Sequence, residues 1–373
     1  MAELGFGLMR LPLKDPEDPT SVDIPQLETM VDTFLASGFD YFDTAYLYHK
    51  GMSERVVRKV LSERHPRESF RLASKMPLMA INVPEDHERV FSEQLERCGV
   101  DYFDSYLVHN ACRGLYDTAD RLGTFDYVRG LKEDGRVRRI GFSIHDDAEF
   151  LERILEENDD YDFVQLQINY LDWDSPAIQA RECYEVARRH HKPIVVMEPV
   201  KGGALADVPE RVRALFSEAD SDATPASWAM RFVAGLEGVE TVLSGMSDMS
   251  QVEDNISTMA GLRPLDESGL DLVRRAAGII NESIAIQCTS CGYCLKDCPM
   301  DIPIPDYFQI YNSARMAPAK GLPPQRFYYL NRSKGHGKAS DCIGCGRCEA
   351  NCPQHLPIRK YLEDVAGLLE RLI

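Results

Sequence analysis

Short apolar runs alternate with amphipathic stretches eight times over roughly the first 260 residues, and few folds accept such a pattern. The runs are Leu4–Met9, Phe39–Asp43, Phe70–Lys75, Ser105–His109, Val137–Ser143, Phe163–Gln167, Pro193–Met197 and Thr241–Ser244. Between the first two, Leu27, Met30, Val31, Phe34 and Leu35 recur at the spacing of one buried helix face. Val56, Val57, Val60 and Leu61, and then Val90, Leu95 and Cys98, do the same after the second and third runs. Eight strands alternating with helices predict an α/β chain whose residues 1–265 form a closed (β/α)8 TIM barrel. A doubly wound sheet is the alternative, and it calls for a Gly-rich dinucleotide loop after the first strand, which this sequence lacks.

Beyond Pro264 the pattern changes. One helix (Leu270–Ile280) leads into two dense cysteine groups, separated by a Pro/Gly/Lys-rich loop (Ala317–Ser340), and a last helix spans Ile358–Leu372. Residues 266–373 therefore read as a second, mainly helical unit. Of the 11 cysteines, Cys98, Cys112 and Cys183 are scattered, and eight crowd into the last 90 or so positions. The scattered three read as packing thiols, with Cys112, next to the end of the fourth strand, a candidate for lining a pocket. Cys288, Cys291, Cys294 and Cys298 form C-x2-C-x2-C-x3-C followed by Pro299; Cys342, Cys345, Cys348 and Cys352 repeat it before Pro353. Such runs suit two [4Fe–4S] clusters, with the fourth cysteine of each run crossing to the other cluster. Cys288, Cys291, Cys294 and Cys352 would then hold one, and Cys342, Cys345, Cys348 and Cys298 the other. Paired zinc sites are the alternative, but zinc has no use for the repeated spacing and its proline. The runs extend into a longer repeat and feed helices, so the unit resembles the helical ferredoxin modules of anaerobic electron-transfer enzymes.

With a formal net charge of −18, the surface repels phosphate backbones and anionic lipids, so nucleic acid and membrane are poor partners. The basic runs Arg136–Arg139 and Arg188–Lys192 read as solvated turns before strands. No apolar stretch approaches a membrane span, and the opening MAELGFGLMRLPL has no leader character, so the expected location is the cytoplasm.

Three of the apolar runs end on polar groups, Asp43, Lys75 and His109, and Tyr48 follows in the loop after Asp43. Singly each has a bland reading, as a helix cap, a solvated amine, a satisfied core imidazole or a packing ring. Together, at the carboxyl ends of barrel strands, they read as chemistry.

DTAYLYHKGMSE (Asp43–Glu54), ASK (Ala73–Lys75) and LVHNA (Leu107–Ala111) resemble the segments that carry the catalytic Asp, Tyr, Lys and His of the aldo-keto reductases. LERCGVDYFDSYLVH, GRVRRIGFS and FVQLQINY extend the resemblance from Leu4 to Ala260, and the cysteine-rich tail resembles that of a subgroup bearing ferredoxin modules. The resemblance implies a cofactor, NADP or NAD, whose reduced form gives a hydride to a small-molecule carbonyl, or the reverse oxidation, with Tyr48 donating the proton. Asp43 would then hold Lys75, Lys75 would make Tyr48 more acidic, and His109 would orient the carbonyl. It also implies Ser143 and Gln165 at the nicotinamide carboxamide, Met197 in place of a stacking tyrosine, and Ser244, Gly245, Met246, Gln251, Asp254 and Asn255 around the adenosine phosphates. Glu198 stands where a small polar residue is commoner. Gly245 and Gln251 replace a lysine and an arginine that many relatives use for the 2′-phosphate, with no other basic residue near in sequence, which leaves NADP and NAD both open. The family's usual hairpin before strand one is absent, and the first strand starts almost at once. The clusters fit three readings: accessories to an active barrel, a wire to a redox partner protein, or the working part of an electron-transfer or sensing subunit.

Overall fold

The computed structural model describes residues 2–176, 178–282, 285–286, 288, 290, 292–316, 323–352 and 355–370. Eight parallel strands close into one barrel in chain order: β1 (Glu3–Gly7), β2 (Tyr41–Asp43), β3 (Arg71–Pro77), β4 (Phe103–His109), β5 (Val137–Ile144), β6 (Phe163–Gln167), β7 (Ile194–Met197) and β8 (Val239–Gly245). The expected barrel is therefore observed, with strand ends shifted by a residue or two.

The two-residue repeat of a strand decides what each residue does here. Tyr41, Ala73, Leu107, Phe163, Val195 and Leu243 form a separate apolar cluster, the filling of the barrel. Alternate residues such as Phe42, Leu72, Tyr106, Val108, Val164 and Val242 belong to the larger core between strands and helices. Gly5 and Gly141 are glycines because the interior is full at their level. A Cβ on Gly5 would stand 2.7 Å from Leu243, and one on Gly141 would stand 2.6 Å from the Phe163 ring. At the amino-terminal end, Arg71 closes the floor between Glu3 (2.6 Å) and Asp40, and Thr241 donates to Glu3.

The helix Ile24–Ala36 shows how the outer layer docks. Asp23 caps it, Pro25 sits in its first turn, and Gly38 turns away at φ 91°. Its buried face is Leu27, Met30, Val31 and Phe34, each contributing roughly 1.5–3 kcal/mol on burial. Phe34 meets Phe6 and Phe42 edge-on, at 5.4 and 5.3 Å.

The helix Glu267–Glu282 packs Val273, Ala276 and Ile280 into the barrel's own core, against the helices Glu210–Ala219 and Pro225–Ala234. The cysteine region then builds a second core on the helices Ile304–Met316, Gln325–Arg332 and Ile358–Leu369. The segment read as a loop over Ala317–Ser340 needs correcting, since it holds the helix Gln325–Arg332. Tertiary packing overrides the Pro/Gly signal there: Tyr329 packs at a tilt on Tyr307, ring centres 4.5 Å apart, and Tyr328 is buried against the barrel. Residues 317–322 of that segment, and residues 371–372 of the last predicted helix, lie outside the described residues. The two basic runs are ion-paired: Arg136 meets Glu88, Arg138 meets Asp104 and Arg188 meets Glu237.

Candidate active site

Counting by two from the interior cluster puts Asp43, Lys75, His109, Ser143, Gln165, Met197 and Gly245 on inward positions at the carboxyl rim. Tyr48, His109, Met197 and Glu198 are only partly buried, although the strands beneath them are closed, so the mouth is accessible at this end.

Lys75 is fully buried and donates to Asp43 Oδ1 at 2.5 Å and to the Thr44 carbonyl at 2.8 Å. Its ammonium lies 5.2 Å from the centre of the Tyr48 ring, and the Tyr48 and His109 rings meet edge-to-face at 6.0 Å. The four predicted groups thus converge. The segment after β2 is tied down to make this so. Tyr48 begins a tight turn in which His49, Lys50 and Gly51 are all left-handed. Thr44 and Ser53 share a hydrogen bond at 2.8 Å, and Ser53 also donates to the Leu8 carbonyl. Glu54, fully buried, accepts from Ser74 and Gln94, and Gln94 donates to the Lys75 carbonyl at 3.1 Å. The Lys75 backbone is therefore strutted from outside the barrel while its ammonium works inside.

Burial opposes the charged form of Lys75, but Asp43 and Tyr48 beside it hold the amine above its ordinary value. Burial likewise raises the Asp43 carboxyl, against the pull of Lys75. The short contact and the second acceptor on Thr44 are those of an ammonium facing a carboxylate. Burial pushes the Tyr48 phenol up, Lys75 pulls it down, and burial prevails. The expected acidifying influence of Lys75 is present, and the net shift runs the other way: Tyr48 is firmly protonated at neutral pH. Burial, then Lys75 and His145, hold His109 down to about 3, so its imidazole is neutral. Glu198, left-handed at φ 56°, is pushed by burial up to about 7, against Lys201 and Arg10 and with Asp172.

Several buried polar atoms around this rim have no hydrogen-bond partner among the described residues: Asp43 Oδ2, Gln165 Oε1, His145 Nδ1 and both side-chain amide atoms of Asn110. Each costs about 1–3 kcal/mol unless a ligand or water satisfies it, and this set marks the mouth as a polar binding site. Gln165 also donates to the Met197 sulfur at 3.7 Å, and the Ser143 hydroxyl accepts from the Asn110 backbone N–H at 2.9 Å. The donors and acceptors present fit a carboxamide with a thioether beside it. The β8 segment is more mixed. Asn255 donates to Ser244 at 2.9 Å, and Gln251 accepts from Ser247 N and donates to Asp248. Met246, however, is buried in the core, and Asp254 accepts from Thr224 at 2.7 Å, which caps a neighbouring helix.

The cysteine-rich unit covers part of the mouth. Tyr328, from the helix Gln325–Arg332, lies edge-on to His145 at 5.5 Å and donates to Gln167 at 3.4 Å; Asn331 donates to the His145 carbonyl. Lys201, fully buried, donates to both Asp172 oxygens (2.6 and 2.7 Å) and to Ser313 of the helix Ile304–Met316. Gln167 and Asn169 complete the Asp172 shell. The only prior sign was a lysine before two glycines past β7, with Asn169 and Asp172 past β6. Cys112 is buried beneath this seam, its thiol pushed by burial up to about 11.

In the cysteine region, Cys294, Cys348 and Cys352 are buried in one apolar core, with Cys288, Cys298 and Cys342 packed on it. Burial raises the Cys348 thiol to about 11, with Cys342 and Cys298 adding to the rise, so Cys298 lies near the opposite run. Ile302 N donates to the Cys298 sulfur at 3.5 Å, and Asn351 bridges to Asp297 at 2.7 Å. Soft thiols in an apolar core, one of them accepting a backbone N–H···S bond, fit iron–sulfur ligation. Among the described residues no three His, Cys, Asp or Glu side chains are close enough to hold a single metal ion; Cys291 and Pro353 lie outside the described residues. No helix among them is long and apolar enough to cross a membrane.

The profile described as Aldo/keto reductase family matches residues 3–277, and the one described as 4Fe-4S dicluster domain matches residues 287–356. An aldo-keto reductase of Mycobacterium avium is 27% identical over 257 residues, 69% of this chain and 80% of its own length. Another, from a Mycobacterium strain, is 30% identical over 146 residues, 38% of this chain and 45% of the relative's length. An aldo-keto reductase from Klebsiella pneumoniae in complex with NADPH superposes with a TM-score of 0.58 at 21% identity, over 73% of this chain and 90% of that one. That likeness shows the fold.

Proposed function

Because the chain belongs to the aldo/keto reductase family and carries a 4Fe-4S domain, we propose that it is an NAD(P)H-dependent reductase of a small-molecule carbonyl, also able to run the reverse oxidation. The observation that carries this reading is the convergence of Asp43, Lys75, Tyr48 and His109 at one accessible rim. A nicotinamide, when bound, supplies a hydride to the carbonyl carbon. Ser143, Gln165 and Met197 would hold and cover it. Tyr48, protonated at rest, gives its proton to the carbonyl oxygen. Lys75 stabilises the phenolate left behind, and Asp43 keeps Lys75 in place and charged. Neutral His109 donates a hydrogen bond to the oxygen as charge builds there.

In the unit from residue 266 to 373, Cys288, Cys291, Cys294 and Cys352 would hold one [4Fe–4S] cluster, and Cys342, Cys345, Cys348 and Cys298 a second. Such clusters supply one-electron transfer when bound. Thiolate ligation of this kind points to a reducing compartment, the cytoplasm.

A second reading, electron transfer with a redox partner protein, is favoured by one observation. Tyr293 and Ile343, beside the cysteine runs, are each 64% exposed, and Cys345 is exposed with them. Anaerobically purified protein offered a panel of carbonyls with NADPH or NADH separates the two. Carbonyl-dependent loss of nicotinamide absorbance supports the reductase. No dinucleotide binding and no turnover, with reversible cluster reduction, leaves the electron-transfer reading.

A further inference from the structure

The β8 segment has no cation where many relatives carry two. Gly245 has no side chain, and the Gln251 amide is spent on Ser247 N and Asp248. A dinucleotide brings several negative charges to a chain of formal net charge −18, so a local cation is needed to offset the field. The fold delivers one from the far end of the sequence. Arg10, in the loop after β1, lays its stem across Gly245: a Cβ on that glycine would meet Arg10 Cβ at 3.1 Å and its Cγ and Cδ at 3.3 Å.

The loop is fixed on both sides of Arg10. Leu8 N donates to the Asp43 carbonyl at 2.8 Å, Leu11 N donates to His49 Nε2 at 3.2 Å, and Ser247 Oγ donates to the Arg10 carbonyl at 3.2 Å. His49 is held in turn by its contact with the Pro19 carbonyl at 2.7 Å. Other barrel arginines such as Arg67, Arg71 and Arg97 are committed to carboxylates. The Arg10 guanidinium has no ion pair or hydrogen bond among the described residues. It is near enough to the mouth for its charge to reach Glu198. A half-buried, pre-positioned and uncommitted guanidinium is a fork for phosphate oxygens. It lies beside the end of the eighth strand, on the side where barrels hold phosphate.

We propose that Arg10 is the cationic phosphate contact for the bound dinucleotide, taking from β1 the role that relatives give to residues on β8. The inference rests on the nicotinamide reading above and adds a residue that the barrel sequence alone did not suggest.

Equilibrium binding of NADPH and NADH to the anaerobic, cluster-loaded full chain, followed by nicotinamide fluorescence, tests it. Arg10→Ala should weaken binding roughly ten- to hundredfold and flatten its salt dependence. Loss for NADPH alone assigns the contact to the 2′-phosphate, and equal loss for both assigns it to the pyrophosphate. Removing the stem also frees the space above Gly245, so Gly245→Lys in the Arg10→Ala background should recover part of the affinity. Melting temperature and cluster absorbance should stay at wild-type values, which separates lost contact from lost fold. Unchanged affinity for both dinucleotides in Arg10→Ala would overturn the assignment while leaving the reductase reading intact. Wild-type protein that binds neither dinucleotide would overturn that reading, and this inference with it.

Discussion

Lys75 Nζ sits 2.5 Å from Asp43 Oδ1 one layer above the apolar filling of the barrel, and both side chains are almost fully buried. A buried pair of this kind is costly to break, because the surviving charge is left unmatched. Lys75→Met should therefore destabilise the protein by about 3–5 kcal/mol and lower kcat roughly a hundred- to ten-thousandfold. Asp43→Asn in the Lys75→Met background should recover stability without recovering activity. Chemical denaturation and steady-state kinetics on the three proteins check this. A double variant no more stable than Lys75→Met would contradict an ionised pair.

Glu198 gives the pH dependence. Its carboxyl is raised from 4.5 to about 7. Between those values the folded chain keeps a proton that the unfolded chain has lost, so stability falls as pH rises through that window, by at most about 3 kcal/mol. Glu198→Gln should flatten the window and remove an ionisation near neutrality from the pH profile of kcat/KM. His109, held down to about 3, contributes no ionisation there. Thermal melts from acid to neutral pH, paired with kinetics, decide; an unaltered profile in Glu198→Gln refutes the assignment.

The seam between the two units predicts that the cysteine-rich module shapes substrate choice. Tyr328 covers His145, and Ser313 completes the Lys201–Asp172 cluster. Lys201→Met strands a buried carboxylate and should cost about 3–5 kcal/mol. Tyr328→Ala should raise KM for carbonyl substrates severalfold and reorder their preference while leaving dinucleotide affinity alone. Equal effects on every substrate would argue that Tyr328 is only packing.

Crossed ligation is also testable. Cys298, in the first run, lies near Cys348 in the second. Cys298→Ser should then alter the spectrum of the cluster held by the second run, and Cys352→Ser that of the first. Wild-type protein should hold about eight iron and eight sulfide per chain, from two clusters of four. Electron paramagnetic resonance of the two reduced variants discriminates. Each substitution perturbing the cluster of its own run would exclude crossing.

The barrel was legible because a strand's two-residue period and a helix's face leave marks in one sequence. Those marks located Asp43, Lys75 and His109 at strand ends and the cysteine runs by spacing. The helix Gln325–Arg332 escaped because its stability comes from Tyr328 and Tyr329 docking on partners far away in sequence, which local Pro/Gly signals mask. Arg10 escaped for a related reason. A missing cation at Gly245 is visible in sequence, but its replacement from the other end of the chain appears only when β1 pairs with β8. The direction of the Tyr48 shift was misjudged because burial, invisible in sequence, outweighs Lys75.

The central claim is that Tyr48 delivers the proton to a carbonyl at this rim. The direct measurement is single-turnover reduction by the anaerobic, cluster-loaded Tyr48→Phe chain, with dinucleotide affinity measured alongside. The account predicts wild-type affinity and carbonyl reduction slowed by at least about a hundredfold. Reduction at the wild-type rate by the phenylalanine variant would contradict it.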